Sequence, residues 1–202
     1  MARPHDQKAY LSNREKLLEA GEQAIRSTSY AQSGINGILA KAAAPKGSFY
    51  HYFDSKEAFG IEVARRYHER QVEYARDCLG DPSTPPLARL RSFFDGARAD
   101  MKSRQYTQGC LMCNLSTELA DKRPAFRAEL DQHWDELVAE LTNCLSAADL
   151  SEIGLQHLSP SDAADWLMNA WSGALTRMKA SGNDKPLALF MRTIFKTEET
   201  QK

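Results

Sequence analysis

Hydrophobic side chains recur every three or four residues along most of the chain, which is the spacing of amphipathic helices. In the N-terminal quarter this pattern predicts three helices that follow a loose polar arm of residues 1–11. The first helix begins at Ser12, which opens a capping box, the second is capped by Ser33, and the third spans 45–53. Short helices joined by a tight turn in this way are typical of a helix-turn-helix unit.

The same spacing continues through the rest of the chain. Asp54 and Ser55 are placed to cap a long fourth helix that ends near Leu79, and the proline-rich segment 81–86 then interrupts the chain. Five further helices are predicted beyond this break, from Pro86 to Met101, over 110–121, from Phe126 to Leu145, from Ser159 to Gly182 and over 187–195. The expected fold class is therefore all-α, with about nine helices and no convincing strand.

Composition excludes some classes of protein. The chain has 202 residues, of which 42% are hydrophobic and 26% are charged, as in an ordinary globular protein. It has no apolar run of the roughly 20 residues that span a membrane. Its first residues lack the apolar core of a signal peptide. We therefore expect a cytoplasmic protein without a membrane partner, whose four cysteines are reduced thiols.

Charge is distributed unevenly. Residues 1–56 contain 8 Lys and Arg against 5 Asp and Glu, whereas residues 57–202 contain 18 against 22. A cationic N-terminal segment on an acidic body orients that segment toward a polyanion such as DNA. A positive excess this small supports DNA binding only when it is combined with a DNA-binding motif in the same segment.

One segment carries a specific resemblance. Residues 46–59 have the sequence KGSFYHYFDSKEAF, in which the order of the aromatic residues, the Gly-Ser pair and the Ser-Lys-Glu are similar to the recognition-helix signature of the TetR family of repressors. The resemblance implies a helix-turn-helix DNA-binding domain over 1–56 and a helical domain over 57–202 that binds an effector and dimerises. It also implies a transcriptional repressor rather than an enzyme, with no catalytic residue and no cofactor.

The residues expected to bind DNA lie on the recognition helix and beside it: Ser33, Lys46, Gly47, Ser48, Tyr50, His51 and Lys56. Gly47 lets the backbone approach the DNA, while Tyr50 and His51 can donate hydrogen bonds to phosphates or bases. Lys46 and Lys56 are placed to pair with phosphates, as their family counterparts do. The alternative, an aromatic core patch, is disfavoured because five consecutive aromatic rings at 49–53 cannot all face inward on a helix.

The turn before the recognition helix departs from the family pattern. Family members usually carry Gly followed by Val there, and this chain has Ala43 and Ala44. If Ala43 adopts a positive φ, it costs roughly 1 kcal/mol relative to glycine. Ser29-Tyr30 likewise replaces a glycine that often precedes an aromatic residue at the end of the first-helix region.

A second resemblance concerns the effector. Residues 108–120, QGCLMCNLSTELA, are similar to a stretch in the branch of the family that includes the N-ethylmaleimide repressor, whose members respond to reactive electrophiles, oxidants or small unsaturated acids. Residues 171–179 also resemble that branch, in which the corresponding lysine can pair with the cysteine. The resemblance implies a small-molecule effector acting at Cys110, with Lys179 and the segment that contains Trp171 near it. Cys113 departs from that branch, because it occupies a position where Gly or another small residue is expected.

The residues themselves support a reactive Cys110. It follows Gly109 in the first turn of a predicted helix, where unpaired N–H groups and the helix dipole stabilise a thiolate. Cys113 lies three residues further on the same face and could convert a sulfenic acid at Cys110 into a disulfide. Trp171 is expected to line a pocket between helices, and Cys78 and Cys144 have the spacing of core residues.

Several alternatives stay open at this point. Cys110 can be a small buried hydrophobic residue in a repressor that binds its ligand without covalent chemistry. A thiol oxidoreductase built on Cys110-x-x-Cys113 is disfavoured because no strand precedes the motif. A third class is a helical interaction protein with a degenerate DNA-binding domain. No metal site is expected, since the histidines are scattered and one Cys-x-x-Cys supplies only half of a four-thiolate zinc site, although a zinc site assembled in three dimensions stays open.

Double-stranded operator DNA and a second copy of the chain are the expected macromolecular partners. One three-helix unit contacts only a few base pairs, and a two-fold dimer places two such units on successive half-sites. The last two predicted helices are expected to form a four-helix bundle across the dyad. The residues assigned to that surface are Leu167, Trp171, Ala174, Met178, Phe190, Ile194 and Phe195.

Overall fold

The computed structural model describes the backbone of residues 4–196 and the side chains of residues 7–196. Within that range the chain forms nine α-helices and one 3-10 turn, with no strand. The helices are α1 Pro4–Ser27, α2 Ile35–Lys41, α3 Phe49–Tyr52, α4 Lys56–Leu79, α5 Pro86–Ser103, α6 Leu111–Leu119, α7 Pro124–Leu145, α8 Pro160–Ser181 and α9 Lys185–Phe195, and the 3-10 turn is Leu150–Ile153. The all-α fold class expected from the sequence is confirmed.

The first helix begins earlier than predicted. It starts at Pro4 rather than at Ser12, so most of the predicted arm of residues 1–11 is helical, and residues 1–3 lie outside the described residues. Proline suits the first turn of a helix because the missing N–H has no partner there. Ser12 lies in the helix interior, so the predicted capping box does not form.

The next two helices also differ from the prediction. The N-cap of α2 is Gly34, while the buried hydroxyl of Ser33 donates to the carbonyl of Tyr30 (2.8 Å) and closes the turn after α1. The third helix is shorter than the predicted 45–53. Its first residues form a separate turn, in which the N–H and the hydroxyl of Ser48 both donate to the carbonyl of Pro45 (3.1 and 2.9 Å).

The turn that ends α2 has the geometry expected for it. Ala43 adopts a φ of 51°, in the left-handed region that favours glycine. The N–H of Ala44 donates to the carbonyl of Leu39 (2.9 Å), which satisfies one of the last carbonyls of the helix. The condition stated for Ala43 is therefore met, and its positive φ costs roughly 1 kcal/mol relative to glycine.

The later helix ends follow their local sequence. Ser55 caps α4 by accepting from the N–H of Ala58 (3.0 Å), and Ser159 caps α8 by accepting from the N–H of Asp162 (3.1 Å). Pro86 is the first residue of α5. Side-chain capping and proline placement act within one helical turn, so these boundaries were predictable from the residues alone.

The core beneath the helix-turn-helix continues into the second half of the chain. Leu111 and Leu115 of α6 and Phe126 of α7 are fully buried in the same cluster as Phe59 and Val63 of α4. Burial of this kind stabilises the folded state by about 1.5 to 3 kcal/mol for each large side chain. The core of the helix-turn-helix therefore extends past the predicted division at residue 56, into α6 and α7.

A second core joins α5, α7, α8 and α9. The ring of Phe94 lies between Trp171 and Phe190, with centroid distances of 5.1 and 4.8 Å. The predicted dimer residues were assigned wrongly, because most of them are buried inside one protomer: Leu167, Trp171, Met178, Phe190 and Ile194. The exposed apolar residues of α8 and α9 are instead Trp166 and Leu189, with 42% and 57% of their surfaces accessible.

In the described part of the chain, no helix combines the length and the apolar character that crossing a membrane requires.

Candidate DNA-binding surface and cysteine site

The short helix α3 is divided between a buried and an exposed side. Phe49 and Phe53 are buried, and their rings pack on Phe59 of α4 at centroid distances of 5.1 and 4.8 Å. Tyr50 is 67% exposed, and His51 is exposed beside it. The aromatic run therefore anchors the helix with two rings and presents two others to solvent.

The turn before α3 extends this exposed surface. Lys46 and Gly47 are exposed, and Ser48 is half-buried. A side chain at Gly47 would meet open space, so the requirement there is the backbone φ of 89° rather than close packing. Ser33 is buried, and its hydroxyl is used within the fold, so it does not lie on the exposed surface.

Lys56 is placed at the joint between two helices. Its ammonium donates to the carbonyls of Tyr30 (2.7 Å) and Ala31 (3.3 Å) and lies 4.6 Å from the centroid of the Tyr30 ring. Partial burial lowers the pKa of this lysine from its ordinary value. In the protein without DNA, Lys56 therefore fixes the segment after α1 instead of extending into solvent.

Cys110 occupies the N-cap position of α6. Its sulfur makes no regular capping hydrogen bond, but it lies close to the thiol of Cys113 and to the first N–H groups of the helix, and it accepts from the hydroxyl of Tyr67 (3.7 Å). The Cys113 thiol is the main cause that lowers the pKa of Cys110 to about 6, while burial opposes it and the N–H groups of Cys113 and Met112 and the Tyr67 hydroxyl assist. At neutral pH the arrangement favours a thiolate.

Cys113 keeps its own proton when Cys110 loses its proton to solvent. Its thiol donates toward Cys110, and this contact together with burial raises the pKa of Cys113 well above its ordinary value. Two thiols in contact titrate as one coupled pair, in which the first proton leaves at low pH and the second is retained. The pair therefore consists of a nucleophilic thiolate with a protonated thiol beside it, one helical turn apart.

Lys179 lies near this pair but is bound elsewhere. Its ammonium donates to the side-chain oxygen of Asn114 (3.1 Å), and the Asn114 amide donates to the carbonyl of Gln108 (2.8 Å). The lysine thus holds the loop that leads into Cys110, and in this structure its recorded hydrogen bond is to Asn114 rather than to the sulfur.

The loop before Cys110 has a strained backbone. Gln105, Tyr106 and Gln108 have φ values of 55°, 58° and 67°, all in the left-handed region, and Gly109 follows at 64°. Non-glycine residues in this region cost of order 1 kcal/mol each and persist where the surrounding structure holds them. The loop that leads into Cys110 is therefore held in a conformation that its own backbone disfavours.

A cavity of about 310 Å³ lies beside Cys110, between α4, α5, α7 and α8. Cys110 and Trp171 both line it, as the sequence predicted for Trp171. Its apolar wall is formed by Phe93, Met101, Met112, Trp134, Leu137, Met168, Trp171 and Leu175, and its charged residues are Glu22, Arg26, Arg70, Asp100 and Arg104. This volume is at the lower end of ligand pockets and admits a small organic molecule next to the thiolate.

Both ends of α6 are tied to the N-terminal helices. At its start, the buried guanidinium of Arg26 in α1 donates to the carbonyl of Gly109 (2.8 Å). At its end, the carboxylate of Glu118 accepts from the N–H groups of Tyr30 (2.9 Å) and Ala31 (2.7 Å), directly after α1. Charged groups strengthen both sets of hydrogen bonds, so α6 and the DNA-binding helices are held to one another at two points.

Sequence reasoning did not find these couplings. Arg26, Tyr67 and Glu118 received no role, although Glu118 lies in the stretch compared with the electrophile-responsive branch. Their partners are 83, 43 and 88 residues away in the chain, respectively. A local pattern carries no signal for a contact at that separation.

Two histidines predicted to be scattered are in contact. The rings of His68 in α4 and His133 in α7 stack at a centroid distance of 4.2 Å. Each ring donates from Nε2 to a carboxylate, His68 to Glu136 (2.8 Å) and His133 to Glu129 (2.9 Å). Among the described side chains, no group of three or more His, Cys, Asp or Glu is arranged to hold a metal ion.

The reaction rate of Cys110 with iodoacetamide is expected to depend on pH with a midpoint near 6. The folded-state pKa is lowered, so the reactive thiolate is populated above that pH and lost as pH falls through it. Cys113→Ala should move the midpoint upward toward that of an ordinary thiol, whereas Cys113→Ser retains a hydroxyl donor and should move it less. Peptide-resolved mass spectrometry from pH 5 to 9 measures this, and a wild-type midpoint near 9 would contradict it.

Known proteins share this architecture over both halves of the chain. Residues 17–63 match the bacterial regulatory proteins of the tetR family, and residues 86–194 match the tetracyclin repressor-like C-terminal domain. The chain is 34% identical over 182 residues to the HTH-type transcriptional repressor DhaR of Mycobacterium sp. strain GP1, covering 90% of each chain.

Two crystal structures have the same fold. A regulatory protein TetR from Rhodobacter sphaeroides superposes with a TM-score of 0.83 at 30% identity, over 90% of this chain and 96% of the other. The reduced form of E. coli NemR superposes with a TM-score of 0.76 at 27% identity, over 91% and 97%. With the helix-turn-helix in place and both halves matched, the chain belongs to the TetR family of transcriptional repressors, which are regulators and not enzymes.

Proposed function

We propose that this chain represses transcription in the cytoplasm by binding a near-palindromic operator as a homodimer, and that reaction of Cys110 with a small electrophile or oxidant releases it. TetR-family repressors bind operator DNA and act as dimers. The observation that carries the sensing part is the position of Cys110. It is a thiolate-favouring residue on a cavity wall, one residue from the carbonyl that Arg26 of α1 holds.

The chemistry needs only the two thiols of this site, the effector and protons from solvent. With an activated alkene, the thiolate electron pair forms a C–S bond at the electrophilic carbon, and a proton from solvent completes the addition at the adjacent carbon. With a hydroperoxide, the thiolate attacks the terminal peroxide oxygen, an S–O bond forms as the O–O bond breaks, and the leaving hydroxide or alkoxide takes a proton from solvent, which gives a sulfenic acid and water or an alcohol. Cys113 then attacks that sulfur, a disulfide forms and water leaves.

The packing around Cys110 couples this reaction to a movement of α6. Leu111 and Met112, which follow it, are essentially fully buried. Atoms added to the sulfur must occupy the cavity beside it, and because the fully buried Leu111 and Met112 leave no free volume behind Cys110, the sulfur reorients toward that cavity only if the start of its helix shifts. The start of α6 must move, and the hydrogen bonds of Arg26 and Glu118 transmit the movement to α1 and to the segment that Lys56 holds.

Glu118→Gln is expected to weaken this transmission. The amide offers one oxygen where the carboxylate offers two, so one of the N–H groups of Tyr30 and Ala31 loses its acceptor. The ratio of operator dissociation constants with and without Cys110 modification should fall by about fivefold or more, while the rate of Cys110 alkylation stays unchanged. Fluorescence anisotropy with labelled operator measures the ratio.

Glu140→Gln is the matched control. Glu140 lies on α7 and forms its ion pair with Arg76 of α4, so this pair involves no residue of α6. The Glu140→Gln variant should leave the ratio as in the wild type. An unchanged ratio in Glu118→Gln would remove this route of transmission while leaving the reaction at Cys110 intact.

The dimer is proposed to form through the exposed side of α8 and α9. Trp166 and Leu189 flank a shallow cleft that also includes Ala170, Gly173 and Ala174. Leu189→Asp buries a charge in this interface and should yield monomers at micromolar concentration by multi-angle light scattering. Leu11→Asp is the matched control, since Leu11 is also 57% exposed but lies on α1. A dimeric Leu189→Asp would place the interface elsewhere.

A second candidate function is a repressor with a ligand held without covalent chemistry. The extent of the cavity favours it, because the cavity continues past Cys110 to Phe93 and Leu175 and also has arginines along its wall. Under this second function, Cys110 lines the pocket and forms no covalent bond to the effector.

Footprinting on DNA selected by the protein tests the proposed function. A protected near-palindromic site that is lost after N-ethylmaleimide treatment is expected. No protected site in any selected DNA would favour a helical interaction protein with a degenerate DNA-binding unit.

A further inference from the structure

The first turns of α1 are not explained by the core. The helix begins at Pro4, eight residues before Ser12, where the helix was expected to begin. Among the described side chains of this extension, residues 7–11, all are exposed except Tyr10, which is half-buried. The extension therefore buries little surface, and Tyr10 is the residue through which its described side chains contact the rest of the fold.

Tyr10 packs on the exposed end of the recognition helix. Its ring meets the imidazole of His51 edge to face, at 5.5 Å between centroids and 83° between planes. It also lies 4.8 Å from the ring of Tyr52 at an angle of 35°. His51 and Tyr52 contact each other at 5.1 Å, so three rings form one cluster between α1 and α3.

The cluster holds a side chain that has little other support. The helix α3 has only four residues, and His51 is exposed on its outer side. An exposed side chain samples several rotamers, and fixing one of them on binding costs conformational entropy. An aromatic partner on one side of the imidazole reduces that cost before the DNA arrives.

We propose that Tyr10 is a positioning residue for operator recognition, which holds His51 in the orientation that contacts the bases and so contributes to sequence specificity without touching a base itself. This inference rests on the proposed function, in which His51 contacts the operator. It adds a specificity determinant on the first helix, outside the helix-turn-helix.

A double-mutant cycle tests the inference. Operator binding is measured by anisotropy for wild type, Tyr10→Ala, His51→Ala and the double variant, on the operator and on its single-base substitutions. Tyr10→Ala should lower operator affinity by about two- to tenfold, the range of an aromatic pair, and should reduce discrimination at the same base pairs as His51→Ala. In the His51→Ala background, Tyr10→Ala should have no further effect.

Two further variants separate positioning from other roles. Tyr10→Phe keeps the ring and should bind as the wild type does, whereas a phosphate contact through the hydroxyl would be lost. Leu11→Ala, next to Tyr10 and exposed, is the control for the extension itself and should bind as the wild type does. Melting temperatures and dimer mass establish that each variant is folded.

Independent, additive effects of Tyr10→Ala and His51→Ala would overturn the inference. So would an equal loss on every DNA sequence, or a Tyr10→Phe variant as weak as Tyr10→Ala. Failure of the proposed function is visible separately, because wild type itself would then show no preferred operator.

Discussion

Cys110→Ser is expected to bind the operator as tightly as the wild type and to remain bound when N-ethylmaleimide or hydrogen peroxide is added. Serine is close in size to cysteine and retains a polar atom at the N-cap of α6, so the unmodified fold should persist. A hydroxyl at neutral pH is a far weaker nucleophile than a thiolate, so no adduct forms. The wild type should lose between about fivefold and 150-fold in operator affinity on modification, the usual range of coupling between two sites.

Two other cysteines supply the controls for this variant. Cys78→Ser removes a half-buried thiol in the last turn of α4, which is not among the residues that line the cavity, and it should respond as the wild type does. Cys113→Ser should still release DNA with N-ethylmaleimide, but after peroxide it should recover differently, because the thiol that closes the disulfide is gone. If Cys110→Ser releases DNA as readily as the wild type, the covalent mechanism is wrong and the non-covalent pocket becomes the account of this protein.

The double variant Tyr50→Ala, His51→Ala is expected to lose operator binding by on the order of 100-fold or more, since each well-placed base contact contributes a discrimination of about 1–3 kcal/mol. Both side chains are exposed, whereas Phe49 and Phe53 anchor the helix, so the loss should come without loss of fold. A dimer presents the pair twice, which increases the effect on a palindromic site. Anisotropy titrations at fixed salt measure it.

Lys46→Ala distinguishes contacts with phosphate from contacts with bases. It should weaken binding to all sequences to a similar extent and reduce the salt dependence of affinity, because one phosphate contact fewer is made in each half-site. The double variant should instead lose preference among sequences. Equal operator affinity of wild type and the Tyr50→Ala, His51→Ala variant would show that α3 is not the recognition helix.

The fold was predictable where local chemistry determines it. Ser55, Pro86 and Ser159 set helix boundaries within one turn of themselves, and the structure has those boundaries where the sequence places them. The predicted start of α1 was wrong, because the first turns of this helix are supported by a contact between Tyr10 and α3, which lies over 40 residues away in the chain. Ser33 was misassigned because a serine hydroxyl can close a turn behind itself as well as cap a helix ahead.

The site was predictable only in part, for the same reason. The position of Cys110 at the start of a helix follows from the segment around it, and the structure has it at the N-cap. Sequence reasoning missed the contacts around Cys110 and α6 that involve Arg26, Tyr67 and Glu118, because these contacts join distant parts of the chain. The prediction of the dimer residues failed because α8 and α9 carry apolar residues on more than one side. Periodicity alone does not show which of these sides a second copy of the chain covers.

Intact-mass and peptide mass spectrometry, with operator release measured in the same samples, tests the central claim most directly. As N-ethylmaleimide is titrated, at a protein concentration between the operator dissociation constants of the unmodified and the modified protein, the account predicts that the first adduct forms on Cys110 and that the fraction of DNA released rises with the fraction of Cys110 modified. Release that precedes any adduct on Cys110, or complete modification of Cys110 with the operator still bound, would contradict it.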